Sequence, residues 1–182
     1  SHEATRTLLG KPTRWIGRRR ELETLVATFA ECSEEEVARA VLITAPAGMG
    51  KSRLRYEFES LLRERGYSFE VLRGQGDAIA AGSPFILLTP AIRHLMGIRD
   101  GEAPEEQREK LRERVRGVLP PESQQRVATF LGEMIGVPFS DEHDESLRAA
   151  RGDAMLRSQQ MQDAWIEWLA AETARQPMLM VL

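Results

Sequence analysis

One stretch constrains this chain more than any other: Val41-Leu42-Ile43-Thr44-Ala45-Pro46-Ala47-Gly48-Met49-Gly50-Lys51-Ser52. An apolar β-branched run reads as a buried strand at about 39–45. A tight glycine-containing loop follows, then Lys-Ser at the mouth of a helix, with Leu54, Phe58, Leu61 and Leu62 at helical spacing. This is the pattern of a phosphate-binding P-loop. Its backbone N–H groups must turn inward around an anion, so Gly48 and Gly50 fall where a Cβ would obstruct. The helix start adds free N–H groups and a positive dipole end. Lys51 is placed to reach the β and γ phosphates, and the Ser52 hydroxyl is the expected Mg²⁺ ligand. Ala45 stands where the general motif has its first glycine. Lys51 is one of only three lysines among 25 basic residues, so a chance match is rarer than usual. The bland alternative is a glycine-rich turn with Lys51 merely solvated.

The 182 residues suffice for one domain with a substantial core. A 42% hydrophobic and 29% charged composition is that of a globular chain. No apolar run approaches the ~20 residues of a membrane span, and no secretory leader opens the sequence. The net charge of −3 argues against nucleic acid as the partner of this piece. A single cysteine, Cys32, forms no internal disulfide, and a reducing cytoplasm is the expected compartment. The excess of arginine over lysine reads as codon usage rather than function.

Residues 1–14 read as a linker, with Gly10, Pro12 and no periodicity. Leu22, Leu25, Val26 and Phe29 then mark an amphipathic helix ending near Cys32, and Glu34-Glu35-Glu36 a solvated turn. The P-loop helix is expected over about 51–65, with Gly66 as its stop. A second strand is expected at 68–73. Helices follow at 86–96, 104–117, 122–135 and 154–175, and a third strand at 177–182. Residues 136–153 read as loop. Their Asp141, Glu142, His143, Asp144 and Glu145 match neither a zinc spacing nor a calcium loop. His94 reads as a helix-surface or packed histidine rather than a ligand, and Trp165 and Trp168 as core. The strand–helix alternation implies parallel strands with right-handed crossovers, the last of them carrying four helices.

Two motifs together carry a resemblance. Trp15-Ile16-Gly17-Arg18, followed by Glu21-Leu22, resembles the hhGR box that precedes the P-loop in AAA-type ATPases of the signal-transduction (STAND) class. Residues Ala45, Pro46, Ala47, Gly48, Met49, Gly50, Lys51, Ser52 and Arg53 resemble the P-loop of the same group. Val71-Leu72-Arg73-Gly74-Gln75-Gly76-Asp77 resembles its second strand and turn. The match covers residues 15–182 and looks closest to the ATPase modules of bacterial multidomain regulators, including those joined to Ser/Thr protein kinases or LuxR-type domains. It implies a three-layer αβα sandwich with a parallel sheet and a helical insertion over about 86–175. It implies ATP or ADP as ligand with Mg²⁺. Trp15, Ile16, Gly17 and Arg18 would then line the base and phosphates; taken alone, Trp15 and Ile16 read rather as packing before a helix, and their place about 30 residues before the P-loop turns the reading to the nucleotide. The family's Walker B acids follow the third strand, so the resemblance places them beyond Leu182 and makes this chain the N-terminal part of a longer ATPase domain.

Three functional readings follow. The first is a nucleotide-dependent switch within a larger signalling protein, whose partners are the nucleotide, other domains of the same polypeptide and, as an option, another copy of itself. The second is a working ATPase motor. The third is a non-catalytic helical interaction module with a vestigial P-loop. Intact Gly50-Lys51-Ser52 weighs against the third.

Overall fold

The computed structural model describes residues 17–74 and 85–182, together with the backbone of two short strands, β1 (Thr7–Leu8) and β2 (Lys11–Pro12). Trp15 and Ile16 lie outside the described residues, as do Gln75, Gly76 and Asp77. The chain divides into two compact units, residues 1–68 and 69–182.

In the first unit β1 and β2 pair antiparallel, Thr7 opposite Pro12 and Leu8 opposite Lys11, within the stretch expected to be linker. Two helices follow, α1 (Arg19–Glu35) and α2 (Lys51–Glu64). Helix α1 runs past Cys32 and takes in Glu34 and Glu35, which the sequence reading left in a turn. The chain leaves it at Glu36 with a left-handed φ of 54°. The helices meet through their apolar stripes, with Val26 and Phe29 of α1 and Leu54, Phe58 and Leu62 of α2 all buried. Phe29 is the pivot. Its ring lies edge-to-face with Phe58 at 6.4 Å and with Tyr67 at 5.4 Å. Arg65 closes the far end onto Glu23 at 2.9 Å.

The strand expected at 39–45 is not formed. Residues 37–46 belong to no helix or strand, and Val41, Leu42 and Ile43 are exposed, Leu42 at 88%. A β-branched run has the propensity for a strand. Only a neighbouring strand can supply its ladder of hydrogen bonds, and none pairs with it among the described residues. Arg39 still ties the segment to α1 through Glu31 at 2.5 Å.

The second unit holds a two-stranded parallel sheet, β3 (Glu70–Arg73) beside β4 (Met178–Val181), with Leu72 opposite Met180. Between them, among the described residues, run five helices: α3 (Thr89–Leu95), α4 (Pro104–Arg116), α5 (Pro121–Ile135), α6 (Glu145–Gly152) and α7 (Ala154–Thr173). Four were expected, and α6 is the addition, lying in the stretch read as loop. Asp144 caps it, its carboxylate accepting from the Leu147 N–H at 2.9 Å. Asp153 does the same for α7, accepting from Met155 and Leu156. The first of these caps accounts for one of the acids around His143, Asp144, and Asp141 pairs with Arg151 at 3.0 Å.

Helix α5 is the centre of this unit. Eight of its residues, from Val127 to Ile135, are buried, and it packs on α3, α4 and α7. Leu111 and Val115 of α4 and Ala164, Trp165 and Trp168 of α7 close over it. Gly132 lets the returning chain cross tightly: a Cβ there would stand 2.5 Å from the Val137 carbonyl oxygen and 2.8 Å from the Phe139 ring.

Arginines bind the layers together. Arg114 donates to Glu172 through Nε at 2.6 Å and Nη2 at 2.7 Å, and Glu172 is only 4% exposed. Arg151 bridges Glu133 at 2.7 Å, Asp141 and the Phe139 carbonyl. That guanidinium holds the Asp141 carboxyl below its usual range. Arg126 pairs with Glu167. Breaking a buried pair leaves an uncompensated charge. Arg114→Ala, which strands the Glu172 carboxylate, should therefore lower the unfolding free energy by about 2–3 kcal/mol, since Arg114 itself is partly exposed. Urea denaturation measures it. A loss under about 0.5 kcal/mol would show that the pair does not hold α4 to α7.

Candidate functional site

The glycine-rich loop turns as its sequence requires. Gly48 has φ 82° and Gly50 φ 79°, both in the left-handed region. No atom lies within 4 Å of where a Cβ would sit at either position. Backbone conformation, not crowding within the chain, is what asks for glycine here. A turn closes from Met49 N–H to the Pro46 carbonyl at 3.4 Å, and Gly50 then caps α2, its carbonyl accepting from Leu54 N–H at 2.9 Å.

That start of α2 is chemically unusual. No side chain caps it and no acidic residue lies in its first turn. Helices α4, α5 and α6 each carry a glutamate there. Helix α2 instead opens with Lys51, Ser52 and Arg53. The first N–H groups of a helix lack intrahelical acceptors, and two cations beside a positive dipole end are unfavourable unless an anion joins them. Lys51 and Ser52 are exposed, and Arg53 is half-buried and paired with Glu57 at 3.3 Å. The arrangement is that of an anion-binding helix terminus.

Lys51 folds back over its own loop. Its Nζ donates to the Ala45 carbonyl at 2.5 Å and to the Pro46 carbonyl at 3.2 Å. The structure therefore brings together Ala45, Pro46, Gly48, Gly50 and Lys51, with Ala47 and Met49 exposed in the same loop and Ser52 and Arg53 on the first turn. The two carbonyls as lysine acceptors were not foreseen from the sequence, because main-chain oxygens leave no residue-type signal. Of the upstream box, Gly17 has φ 110° and Arg18 is the N-cap of α1, its carbonyl accepting from Leu22 N–H at 3.1 Å. Trp15 and Ile16 lie outside the described residues.

Other candidates fall elsewhere. His94 is exposed on α3, as expected, and Trp168 is fully buried with Trp165 at a centroid distance of 5.4 Å. No helix among the described residues is long and apolar enough to cross a membrane.

Comparison with known proteins adds one match. No curated protein and no solved structure matches the chain. The sequence profile described as "AAA ATPase domain" matches residues 14–182, almost the whole length. A P-loop NTPase fold, nucleotide binding with ATPase-type function, and general use of Mg²⁺ are what that profile carries with it. The loop, the bare helix start and the profile agree, and the chain belongs to the AAA ATPase domain family.

Proposed function

We propose that this chain is the nucleotide-binding part of a switch, holding ATP or ADP within a larger bacterial signalling or regulatory protein of the STAND type, one linked to a Ser/Thr kinase or LuxR-type domain. The observation that carries the nucleotide site is the uncapped, basic start of α2 behind two left-handed glycines. Backbone N–H groups at 48–53 would hold the phosphates, with Gly48 and Gly50 giving the loop its curvature. Lys51 would exchange its two carbonyl partners for β- and γ-phosphate oxygens. Charge-assisted bonds of that kind are worth roughly 1.5–3 kcal/mol each. The Ser52 hydroxyl is a hard oxygen in the first turn. It fits Mg²⁺ only alongside phosphate oxygens and water, the usual way that ion is bound. Once bound, the ion neutralises charge on the phosphates.

The three-layer αβα sandwich, with residues 15–182 as one part of it and α3–α7 as its helical insertion, belongs to the same reading. It is supported by the family and by the parallel β3–β4 pair. Lys51→Ala should weaken binding of Mg-ATP by about 2 kcal/mol or more. Calorimetry on the two proteins decides it, and equal affinities would sink the site.

Trp15, Ile16, Gly17 and Arg18 would border the adenine side of that pocket. Nucleotide should then change the tryptophan emission of the wild type and leave Trp15→Phe unchanged. A response that survives in the variant comes from Trp165 or Trp168 and removes the assignment.

The 182 residues themselves are expected to bind nucleotide without turning it over. Phosphoryl transfer to water needs a positioned water and placed charge. The family resemblance places the acids that would supply them after the third strand, the position β4 takes here, rather than anywhere within residues 15–181. Steady-state phosphate release at the level of Lys51→Ala is the expected result. Lys51-dependent turnover at about 1 s⁻¹, the lower end of ordinary enzyme rates, would favour the working-motor reading instead.

A further inference from the structure

A second cleft, of about 510 Å³, opens in the 69–182 unit. That is the size of a small-molecule site. It lies at the amino-terminal edge of the sheet. Glu70, the first residue of β3, lines it, and so does Gln176, just before β4. Ligands of α/β folds sit at the opposite, carboxyl edge. A four-residue strand separates the two edges by about 13 Å. Its lining also shares no residue with the P-loop, so the cleft is independent of the nucleotide reading.

Its wall is apolar where α3 ends, at half-buried Leu95 and buried Met96. The cations around it are largely engaged. Arg114 gives two donors to Glu172. Lys110 gives its ammonium to Glu102 at 2.5 Å, Glu106 at 3.2 Å and the Gly97 carbonyl at 3.2 Å. Arg175 donates to the Gly117 carbonyl at 2.9 Å and meets no carboxylate among the described residues. The acceptors are less engaged. Glu113 makes no side-chain hydrogen bond or ion pair with any described residue. Glu70 uses one oxygen, accepting from Gln176 at 3.0 Å. Lys110 is answered twice over by Glu102 and Glu106, which tips the surroundings negative. Lys110 also holds the Glu102 carboxyl below its usual range, so Glu102 stays charged.

We propose that this cleft binds an organic cation, an amine or guanidinium on an aliphatic stem, with its charge between Glu70 and Glu113 and its stem against Leu95 and Met96. Met96 suits the stem because a thioether is apolar and polarizable. Arg175, with no carboxylate to answer it, favours a ligand whose other end is neutral or anionic. Such a group arrives either as a free small molecule or as an arginine or lysine side chain of a polypeptide.

Calorimetry on the full 182-residue chain separates these sources, with n-butylguanidinium as the free cation and acetyl-Gly-Arg-Gly-amide as the peptide-borne one. Wild type should bind at least one probe, more weakly as salt screens the carboxylates. The double variant Glu70→Gln/Glu113→Gln, which keeps shape and removes charge, should bind about tenfold more weakly. Tighter binding of the peptide assigns the cleft to a polypeptide partner, and equal or tighter binding of n-butylguanidinium assigns it to a free metabolite. Circular dichroism confirms that each protein is folded. A folded wild type that binds neither probe, or a folded double variant that binds as well as wild type, overturns the proposal.

Discussion

The parallel pairing of β3 with β4 governs the second unit. Antiparallel neighbours can be joined by two residues, but parallel ones need a crossover that brings the chain back to the same end of the sheet. Here the crossover is the body of the unit, running from α3 through α7. Register places Leu72 beside Met180, and the helices must then cover the apolar face these residues present. Helix α3 packs on β3, and helix α5 lies behind it in the middle of the unit, with eight buried residues between α4 and α7. A helix with so little exposed face is held by packing rather than by propensity.

A different economy operates at the start of α2. Most helix starts among the described residues carry an aspartate cap or an acid in the first turn, which answers the positive dipole end. The start of α2 keeps its orphan donors and adds positive charge to them. Lys51 finds acceptors in its own loop, the carbonyls of Ala45 and Pro46. In the nucleotide site proposed above, a phosphate would compete with two hydrogen bonds and not with a strong ion pair.

The arginine excess, read from sequence as codon usage, has structural uses. A planar fork can bind a carboxylate through two parallel donors, as Arg114 does on Glu172. Arg93 reaches Gln107, Asp100 and the Ile135 carbonyl from one position, and Arg151 links Glu133, Asp141 and the Phe139 carbonyl. A lysine ammonium would answer the charge in these places without the fixed geometry.

Several elements were legible in the residues alone because their signals are local. Leu111 and Val115 on α4, and Val127, Phe130, Leu131 and Met134 on α5, fall inward as their periodicity requires. Gly48 and Gly50 adopt the left-handed turns that a Gly-x-Gly-Lys loop needs. Helix α6 was missed although its signal was present: Asp144 as cap, Leu147 and Ala150 three apart and Arg151 in the last turn. A cluster of acids around His143 obscured it. The segment at 39–45 failed for another reason. Valine, leucine and isoleucine report a preference for extended backbone, and a strand exists only where a second strand accepts its hydrogen bonds. The sequence by itself determined helix faces, caps and the loop's curvature, since each is settled within a few residues. Only the tertiary structure decided that β3 pairs with β4, that 39–45 finds no strand partner among the described residues, and which carboxylate each arginine holds. Those depend on groups distant in the chain, whose meeting no local pattern encodes.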